Sequence, residues 1–471
     1  MSDILWTSEE IARATGGEAH GAPFAASGLS IDTRTLKPGD LFVALASERD
    51  GHDFVAAAFA AGASGALVSR DVAVASFVKV NEPLQGLEQV AAAARDRSAA
   101  KRAAITGSVG KTSVTQAVAA ALRLAGRSHA PVKSFNNHIG VPLTLAALPR
   151  EAAFAVFELG MNHAGEIAPL SKLVRPHVAT VTTVGPVHVE NFPDGETGVA
   201  RAKAEIFEGL APGGAAVLNA DDAWFELLSE AALAHGARVL SFGAKDGCDA
   251  QLIEFERAPD GDGAIVTARL HGRELRFPIA QGGAHWGPNS LATLLTVEAL
   301  GAPLDCALEA LAAFAPLAGR GEARRIALAD GAITLVDESY NANPISMRAT
   351  IRSLASAPHR RIAVLTDMLE LGPDAPRHHA ALVADLESAE VDQVFLAGPL
   401  MLNLWNALPA DVRGAWAPSA ADLAPTVVSA VRAGDTVMVK GSNGSKASLI
   451  VQALSAITPT TSPSPAGAPR L

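Results

Sequence analysis

The segment Gly107-Ser108-Val109-Gly110-Lys111-Thr112 joins a short apolar run, Ala103-Ala104-Ile105, to a stretch in which Val114, Val118, Ala121, Leu122 and Ala125 recur at helical spacing. Strand, glycine turn and helix in that order restrict this part of the chain to an α/β sheet whose strand ends meet an anion. Two glycines let the backbone curl, so that successive N–H groups and the positive helix end converge on one point. Lys111 adds a mobile cation for the outer phosphates of a nucleotide, and the Thr112 hydroxyl is placed to ligate the accompanying magnesium. The residue five before Gly110 is Ile105 and not glycine, so this is the shorter G-x-x-G-K-T form of the phosphate loop. The competing reading is a flexible strand–helix turn with a chance lysine.

The chain has 471 residues, more than one ordinary domain, and is 49% hydrophobic and 18% charged, the balance of a folded protein with an ample core. A formal net charge of −11 argues against a nucleic-acid binder, which needs a basic footprint. Cys248 and Cys306 supply neither a disulfide framework nor metal-ligand spacing, which suits a reducing compartment. Met1-Ser2-Asp3-Ile4-Leu5-Trp6 lacks the basic and apolar regions of a signal peptide. The uncharged stretch 394–410 is broken by Gly398, Pro399, Asn403 and Pro409 and is not read as membrane-spanning. A soluble, cytoplasmic, multidomain protein is expected.

Three domains are expected. Residues 1–98 hold short strands (40–45 and 65–68) and a helix over 53–61, with turn chemistry at Gly39-Asp40 and Asp50-Gly51. Residues 99–317 alternate strands (153–157, 178–183, 215–219) with helices, which predicts a mainly parallel sheet covered on both faces; a β-rich insertion falls over 250–279. Residues 318–457 alternate again. Strands at 333–336, 361–365, 394–397 and 436–439 and helices near 345–356, 376–388, 420–432 and 445–455 give a Rossmann-like, doubly wound order. Asn343-Pro344 is a helix-start signal. The Pro/Ser/Thr-rich tail 458–471 is expected to be disordered.

Glu158 ends the run Phe154-Ala155-Val156-Phe157, at the rim where open α/β sheets bind ligands. Beside a phosphate loop its simplest role is magnesium ligation; without one it is a solvent-exposed acid. The next strand delivers Gly185-Pro186-Val187-His188 to the same rim, so Thr112, Glu158 and His188 form a candidate cation site drawn from separate strands. Lys203, on a short amphipathic helix, reads from residue chemistry alone as a solvated surface lysine. Asn289 either reads a base edge or caps the helix that follows it. Arg320, between Gly319 and Gly321, sits in a segment (318–321) expected to act as a hinge that brings a guanidinium to a terminal phosphate. The run Asp337-Glu338-Ser339-Tyr340-Asn341-Ala342-Asn343-Pro344 packs more polar residues into a strand–helix connection than a turn needs.

These segments together resemble the Mur ligase family of bacterial peptidoglycan synthesis over nearly the whole chain. The match runs through Asp32-Thr33-Arg34, Gly39-Asp40-Leu41-Phe42-Val43-Ala44-Leu45 and Asp50-Gly51-His52-Asp53-Phe54. It continues through the phosphate loop, Asn136-Asn137-His138-Ile139-Gly140-Val141-Pro142, Glu158-Leu159-Gly160-Met161-Asn162-His163-Ala164-Gly165-Glu166-Ile167 and Lys203-Ala204-Glu205-Ile206-Phe207. The third block adds the run from Asp337 to Pro344, Asp367-Met368-Leu369-Glu370-Leu371-Gly372 and Val439-Lys440-Gly441-Ser442.

The resemblance implies an ATP-dependent amide ligase that adds D-alanyl-D-alanine to UDP-N-acetylmuramoyl-tripeptide through an acyl phosphate, acting as a monomer with no nucleic-acid or membrane partner. The alternative is a related Mur ligase, or a ligase like folylpolyglutamate synthase, with a different amino substrate. By resemblance, ATP is held by Gly107 to Thr112, by Asn289 at adenine, by Arg320 at phosphate and by Asp337 or Glu338 at ribose. Two magnesium ions are implied, with Thr112, Glu158 and His188 at the first and a carbamylated Lys203 at the second; Lys111, Lys203, His188 and Glu158 carry the catalysis. The residues 1–98 resemble the domain that holds the uridine nucleotide, and Thr33, Arg34, Asn136, Asn137, Tyr340, Asn341 and Asn343 are the substrate-contact candidates.

Overall fold

The computed structural model describes residues 4–46, 49–132, 134–258 and 263–457; the tail 458–471 lies outside the described residues. The protein is α/β throughout and packs as two compact units. One comprises the chain up to Val184 with Ala200–Gln251 and Asn289–Ala310; the other comprises Gly185–Val199, Leu252–Pro288 and the chain from Leu311 onward. The short segments 185–199 and 252–288, contiguous in sequence with the rest of the 99–317 block, therefore pack with the second unit. Among the described residues no helix is long and apolar enough to cross a membrane.

In the first unit, helix α1 (Ser8–Thr15) starts on a capping box between Thr7 and Glu10 and stops on a left-handed Gly16. Strands β1 (Glu18–Gly21), β2 (Gly28–Ser30), β3 (Asp40–Val43), β4 (Gly65–Val68) and β5 (Ser76–Lys79) form a sheet in the order β1-β5-β4-β3-β2. Only the β1–β5 pair is antiparallel. Phe42, Val55, Ala58, Val68 and Phe77 fill its core. The helix expected over 53–61 begins as a 3₁₀ turn, Gly51–Phe54, capped by Asp50, before Val55–Ala60 continues as α-helix.

Helix α2 (Pro83–Asp96), with proline at its first position, leads to β6 (Lys101–Thr106), the phosphate loop and α3 (Lys111–Ala125). Then follow β7 (Ser128–His129), α4 (Gly140–Ala146), β8 (Phe154–Glu158), α5 (Ile167–Val174), β9 (Val178–Val181), α6 (Glu196–Ala204), β10 (Ala215–Asn219) and β11 (Arg238–Gly243). The strands order as β11-β10-β9-β6-β8-β7, all parallel. Ala103, Ala104 and Ile105 on β6 are fully buried, as a strand covered on both faces requires. The register sets Ile105 beside Glu158 on one side and Thr180 on the other. Thr106 and Glu158 thus reach the same carboxyl rim.

Strands β12 (Ala250–Arg257), β13 (Ala264–Leu270) and β14 (Arg273–Ile279) realise the β-rich insertion, with β13 and β14 an antiparallel hairpin turning at His271-Gly272. Helix α7 (Trp286–Ala299) follows. The second sheet of note contains β15 (Glu322–Leu328), β16 (Gly331–Glu338), β17 (Arg361–Thr366), β18 (Gln393–Ala397), β19 (Arg413–Ala417) and β20 (Thr436–Lys440), in the order β15-β16-β20-β17-β18-β19. All neighbours are parallel except the β15–β16 hairpin. Along β17 the faces alternate: Ala363 and Leu365 join a cluster with Met347, Ile351 and Leu354 of helix α8 (Pro344–Leu354), while Ile362 and Val364 join one with Leu423, Val427 and Ile450.

Two strands of this sheet were not foreseen. Both β15 and β19 are edge strands of partly exposed residues, and Arg324-Arg325 in one and Arg413-Gly414 in the other cut their apolar residues to three. The helix expected over 376–388 is two helices, Ala375–Ala380 and Leu382–Ser388.

Candidate active site

The phosphate loop is shaped by contacts to the strand beside it. Thr182 N–H donates to Thr106 O at 3.0 Å and Ser108 N–H to Thr183 O at 2.6 Å, while the Thr182 hydroxyl donates to Val109 O. Gly107 has φ +149°, and a Cβ there would fall 2.0 Å from Thr182 Oγ1. Gly110 caps α3 in the left-handed region with no side chain over the helix end, which leaves the first-turn N–H groups facing outward. A Cβ on Gly110 would stand 3.0 Å from Asn289 Oδ1, so the asparagine expected at adenine sits against the loop. Lys111 Nζ folds back to donate to Gly107 O at 2.6 Å.

Glu158 is 1% exposed. Its Oε1 accepts from Ser134 Oγ at 2.8 Å and Asn136 Nδ2 at 2.7 Å, whereas its buried Oε2 has no hydrogen-bond partner among the described residues. Ser134 Oγ also lies 3.4 Å from Thr112 Oγ1. A buried carboxylate oxygen without a donor is costly, and a cation is what satisfies it. The described residues contain no group of three or more His, Cys, Asp or Glu able to hold a metal, so this is not a preformed all-protein cage. A hydroxyl and one carboxylate beside a phosphate loop suit magnesium, which keeps waters and takes its other ligands from substrate phosphates. The residues fit the ion.

Lys203 is 2% exposed, contrary to its reading as a surface lysine. Burial drives its pKa well below the ordinary lysine value, nearby Lys111 pushes it further, and Asp222 opposes both. Asp222, its own carboxyl raised by burial, accepts from the backbone N–H of Val184 at 2.6 Å and Trp224 at 3.0 Å. Two residues on, Glu205 accepts from the N–H groups of Gly165 at 2.6 Å and of Ile167 and Ala168 at 3.1 Å, capping α5. The Lys203–Phe207 segment is thereby tied to the loop that follows Glu158.

Other candidates in this unit have local duties. Asn136 bonds Glu158 as above, and Asn137 Oδ1 accepts from Gly140 N–H at 2.9 Å at the start of α4. Arg34 pairs with Asp32 at 2.6 Å on the exposed face, and Thr33 beside it is half-buried.

The second unit carries the rest. His188 has φ +55°, and its Nδ1 lies 2.6 Å from Oε2 of Glu370, itself at φ +62°. Thr112 and Glu158 are linked through Ser134 in the first unit, while His188 packs within the second. Asp337 Oδ1 accepts from the N–H of Ser339 at 3.0 Å and its hydroxyl at 2.6 Å, and Oδ2 lies 3.4 Å from Arg324. Glu338 Oε2 is 3.3 Å from Lys440 Nζ, which also donates to Asn341 O at 3.1 Å. Buried His285 lies close enough to sense both charges, and burial lowers its pKa. Asn343 caps α8 through a reciprocal pair with Ser346.

Arg320 lies over the Tyr340 ring, 4.0 Å from its centroid. The backbone of 318–321 is hydrogen-bonded: Arg320 N–H donates to Leu317 O, Gly321 N–H to Asp337 O and Tyr340 N–H to Gly319 O, all within 3.1 Å.

Residues 105–297 match the Mur ligase middle domain, and residues 319–443 the Mur ligase glutamate ligase domain. The UDP-N-acetylmuramoyl-tripeptide–D-alanyl-D-alanine ligase of Escherichia coli strain K12 is 35% identical over 399 residues, which cover 84% of this chain and 86% of that one. Its Rickettsia prowazekii counterpart is 29% identical over 95% of this chain and 99% of its own. The crystal structure of MurF from Acinetobacter baumannii aligns with a TM-score of 0.84 at 28% identity, covering 96% of this chain and 98% of that one. The chain belongs to the Mur ligase family. Within the family, these three resemblances are all to the D-alanyl-D-alanine-adding branch and span most of each chain.

Proposed function

We propose that the chain is an ATP-dependent ligase that joins D-alanyl-D-alanine to UDP-N-acetylmuramoyl-tripeptide, releasing ADP and phosphate and completing a peptidoglycan precursor in the cytoplasm. The observation that carries this reading is the unsatisfied Oε2 of Glu158, one strand from the phosphate loop and linked through Ser134 to Thr112.

A carboxylate does not form an amide in water until it is activated, so an anionic acid must meet an anionic phosphate. Lys111 and the loop N–H groups screen that repulsion and orient the transferring phosphoryl group. Magnesium, when bound, neutralises phosphate charge, and Thr112, Glu158 and His188 are the residues proposed to ligate it. A second ion is assigned to Lys203 as a carbamate. Its burial favours this, because only the neutral amine adds carbon dioxide and burial populates that form. The resulting anion exchanges repulsion by Lys111 for attraction, with Asp222 opposing it.

Asn289, Arg320 and one of Asp337 and Glu338 are assigned to adenine, phosphate and ribose. Thr33, Arg34, Asn136, Asn137, Tyr340, Asn341 and Asn343 remain candidates for the other two substrates, and domain boundaries near 98 and 317 belong to the same proposal. The test is ADP release by purified protein with magnesium–ATP, the tripeptide nucleotide and D-alanyl-D-alanine. Release is expected only with both co-substrates. Release without them, or with single amino acids in place of the dipeptide, overturns the reading.

A further inference from the structure

We propose that Thr182 is a positioning residue for the phosphate loop: its hydroxyl fixes the Val109–Gly110 peptide so that the Gly110 N–H is aimed at a nucleotide phosphate. This deepens the reading above and rests on it for the identity of the anion. A loop that binds phosphate must turn N–H groups toward the anion and keep the carbonyls of those peptides away from it. The Val109–Gly110 peptide is trans, so its N–H points opposite its C=O. Gly110, at φ +85°, is a residue type that lets such a peptide turn over, which would bring a carbonyl oxygen to face the anion. Glycine allows both settings, so a contact from outside the loop has to choose between them.

The Thr182 hydroxyl is that contact. It donates to Val109 O, which draws the carbonyl toward the end of β9 and turns the Gly110 N–H the other way. Thr182 is buried and its own N–H donates to Thr106 O at 3.0 Å, so the hydroxyl is offered from a fixed backbone. The neighbouring residue sets a second peptide of the loop in the opposite sense. Ser108 N–H donates to Thr183 O at 2.6 Å, and the carbonyl of that same peptide, Gly107 O, accepts from Lys111 Nζ. Asn219, at the end of β10, donates through Nδ2 to Thr182 O at 3.3 Å and to Thr183 Oγ1 at 3.2 Å. Residues 182 and 183 are thus held from β6 on one side and β10 on the other, and the loop takes its shape from them. Pre-ordering of this kind lowers the cost of closing the loop on an anion.

Calorimetric titration with magnesium–ADP reads the loop directly. Thr182→Val keeps the shape of the side chain and sets a methyl group against Val109 O. It is expected to weaken magnesium–ADP about tenfold, and Thr182→Ser to stay within about threefold of the parent. Thr182→Ala, which removes the hydroxyl without crowding the loop, is expected to follow Thr182→Val. Magnesium pyrophosphate, competed against ADP, is expected to weaken by the same factor, because the effect lies at the phosphates and not at the Asn289 side of Gly110. In the ligation assay KM for ATP is expected to rise alongside, with KM for D-alanyl-D-alanine unchanged. The proposal is overturned if the variants lacking the hydroxyl bind magnesium–ADP as the parent does, or if pyrophosphate competes in them as in the parent. It is equally overturned if Thr182→Ser is as weak as Thr182→Val, or if KM for the dipeptide rises instead. A parent with no affinity for magnesium–ADP defeats the nucleotide reading itself, and the proposal falls with it.

Discussion

Lys440 faces Glu338 across adjacent parallel strands, ammonium to carboxylate at 3.3 Å, with both side chains largely withdrawn from water. Removing one partner of such a pair leaves the other charged and buried. Lys440→Met is therefore expected to cost about 3–5 kcal/mol in denaturant unfolding, and the double variant Lys440→Met/Glu338→Leu to recover most of it. Equal destabilisation in the single and double variants would show that packing, not charge, is what the pair contributes.

Gly107→Ala places a methyl group where Thr182 Oγ1 already stands and forces a φ that alanine resists. The loop has to open. Ligation is expected to fall on the order of a hundredfold or more, with calorimetric ATP binding lost and the thermal transition nearly unchanged.

Glu158→Gln keeps the shape of the side chain and removes its charge. The magnesium concentration needed for half-maximal activity is expected to rise, with activity at fixed magnesium down on the order of a hundredfold. Ser134→Ala removes one donor to Oε1 and the link to Thr112, and is expected to cost about tenfold by the same readout. A normal magnesium dependence in Glu158→Gln would remove the ion from this carboxylate.

Lys203→Ala is expected to be largely inactive and partly rescued by short carboxylates, and full activity in that variant refutes the carbamate. The stability of unmodified protein provides a second check. The folded-state pKa of Lys203 lies well below the unfolded value of 10.5, so between the two the unfolded chain binds more protons and stability rises with pH. The contribution is complete above 10.5 and lost as pH falls through the folded value. In carbon-dioxide-free buffer, the stability advantage of Lys203→Met over the parent is expected to be largest at low pH and to shrink toward alkaline pH.

His177 gives an acid-side counterpart. Burial, with Arg102 and Lys101 adding to it, lowers its pKa from 6.5 to about 4, and its Nδ1 accepts from Arg102 N–H at 3.1 Å. Its contribution is present above 6.5 and lost as pH falls through about 4. His177→Asn, which keeps an acceptor and does not titrate, is expected to flatten the loss of melting temperature across that window.

The parts that sequence made legible are those decided within a few residues. Glycines at 107 and 110, the apolar run ending at Ile105 and the Asn343-Pro344 start of α8 announce their own geometry. What escaped depends on approach between distant segments. Ser134 acquires its role only because the chain after β7 passes beside Glu158, and Asp222 only because it reaches back to Val184. The Lys440–Glu338 pair spans 102 positions and exists because β20 inserts beside β16. Lys203 was misread for a related reason: an amphipathic pattern assigns lysine to water, and tertiary packing overruled it.

The interleaving of the two units bears on how the chain is made. Each is built from three stretches, so the backbone passes from one to the other five times. A ribosome that has released residue 184 has not yet supplied Ala200–Gln251 or Asn289–Ala310, and the second unit cannot be completed from a gene fragment beginning at 318, because Gly185–Val199 is translated long before it. Gly185 approaches Ile345 so closely that a Cβ would fall 2.0 Å from its Cδ1, and a fragment from 318 onward would present that isoleucine with its neighbour missing. On this division neither unit is whole until its last stretch has been synthesised.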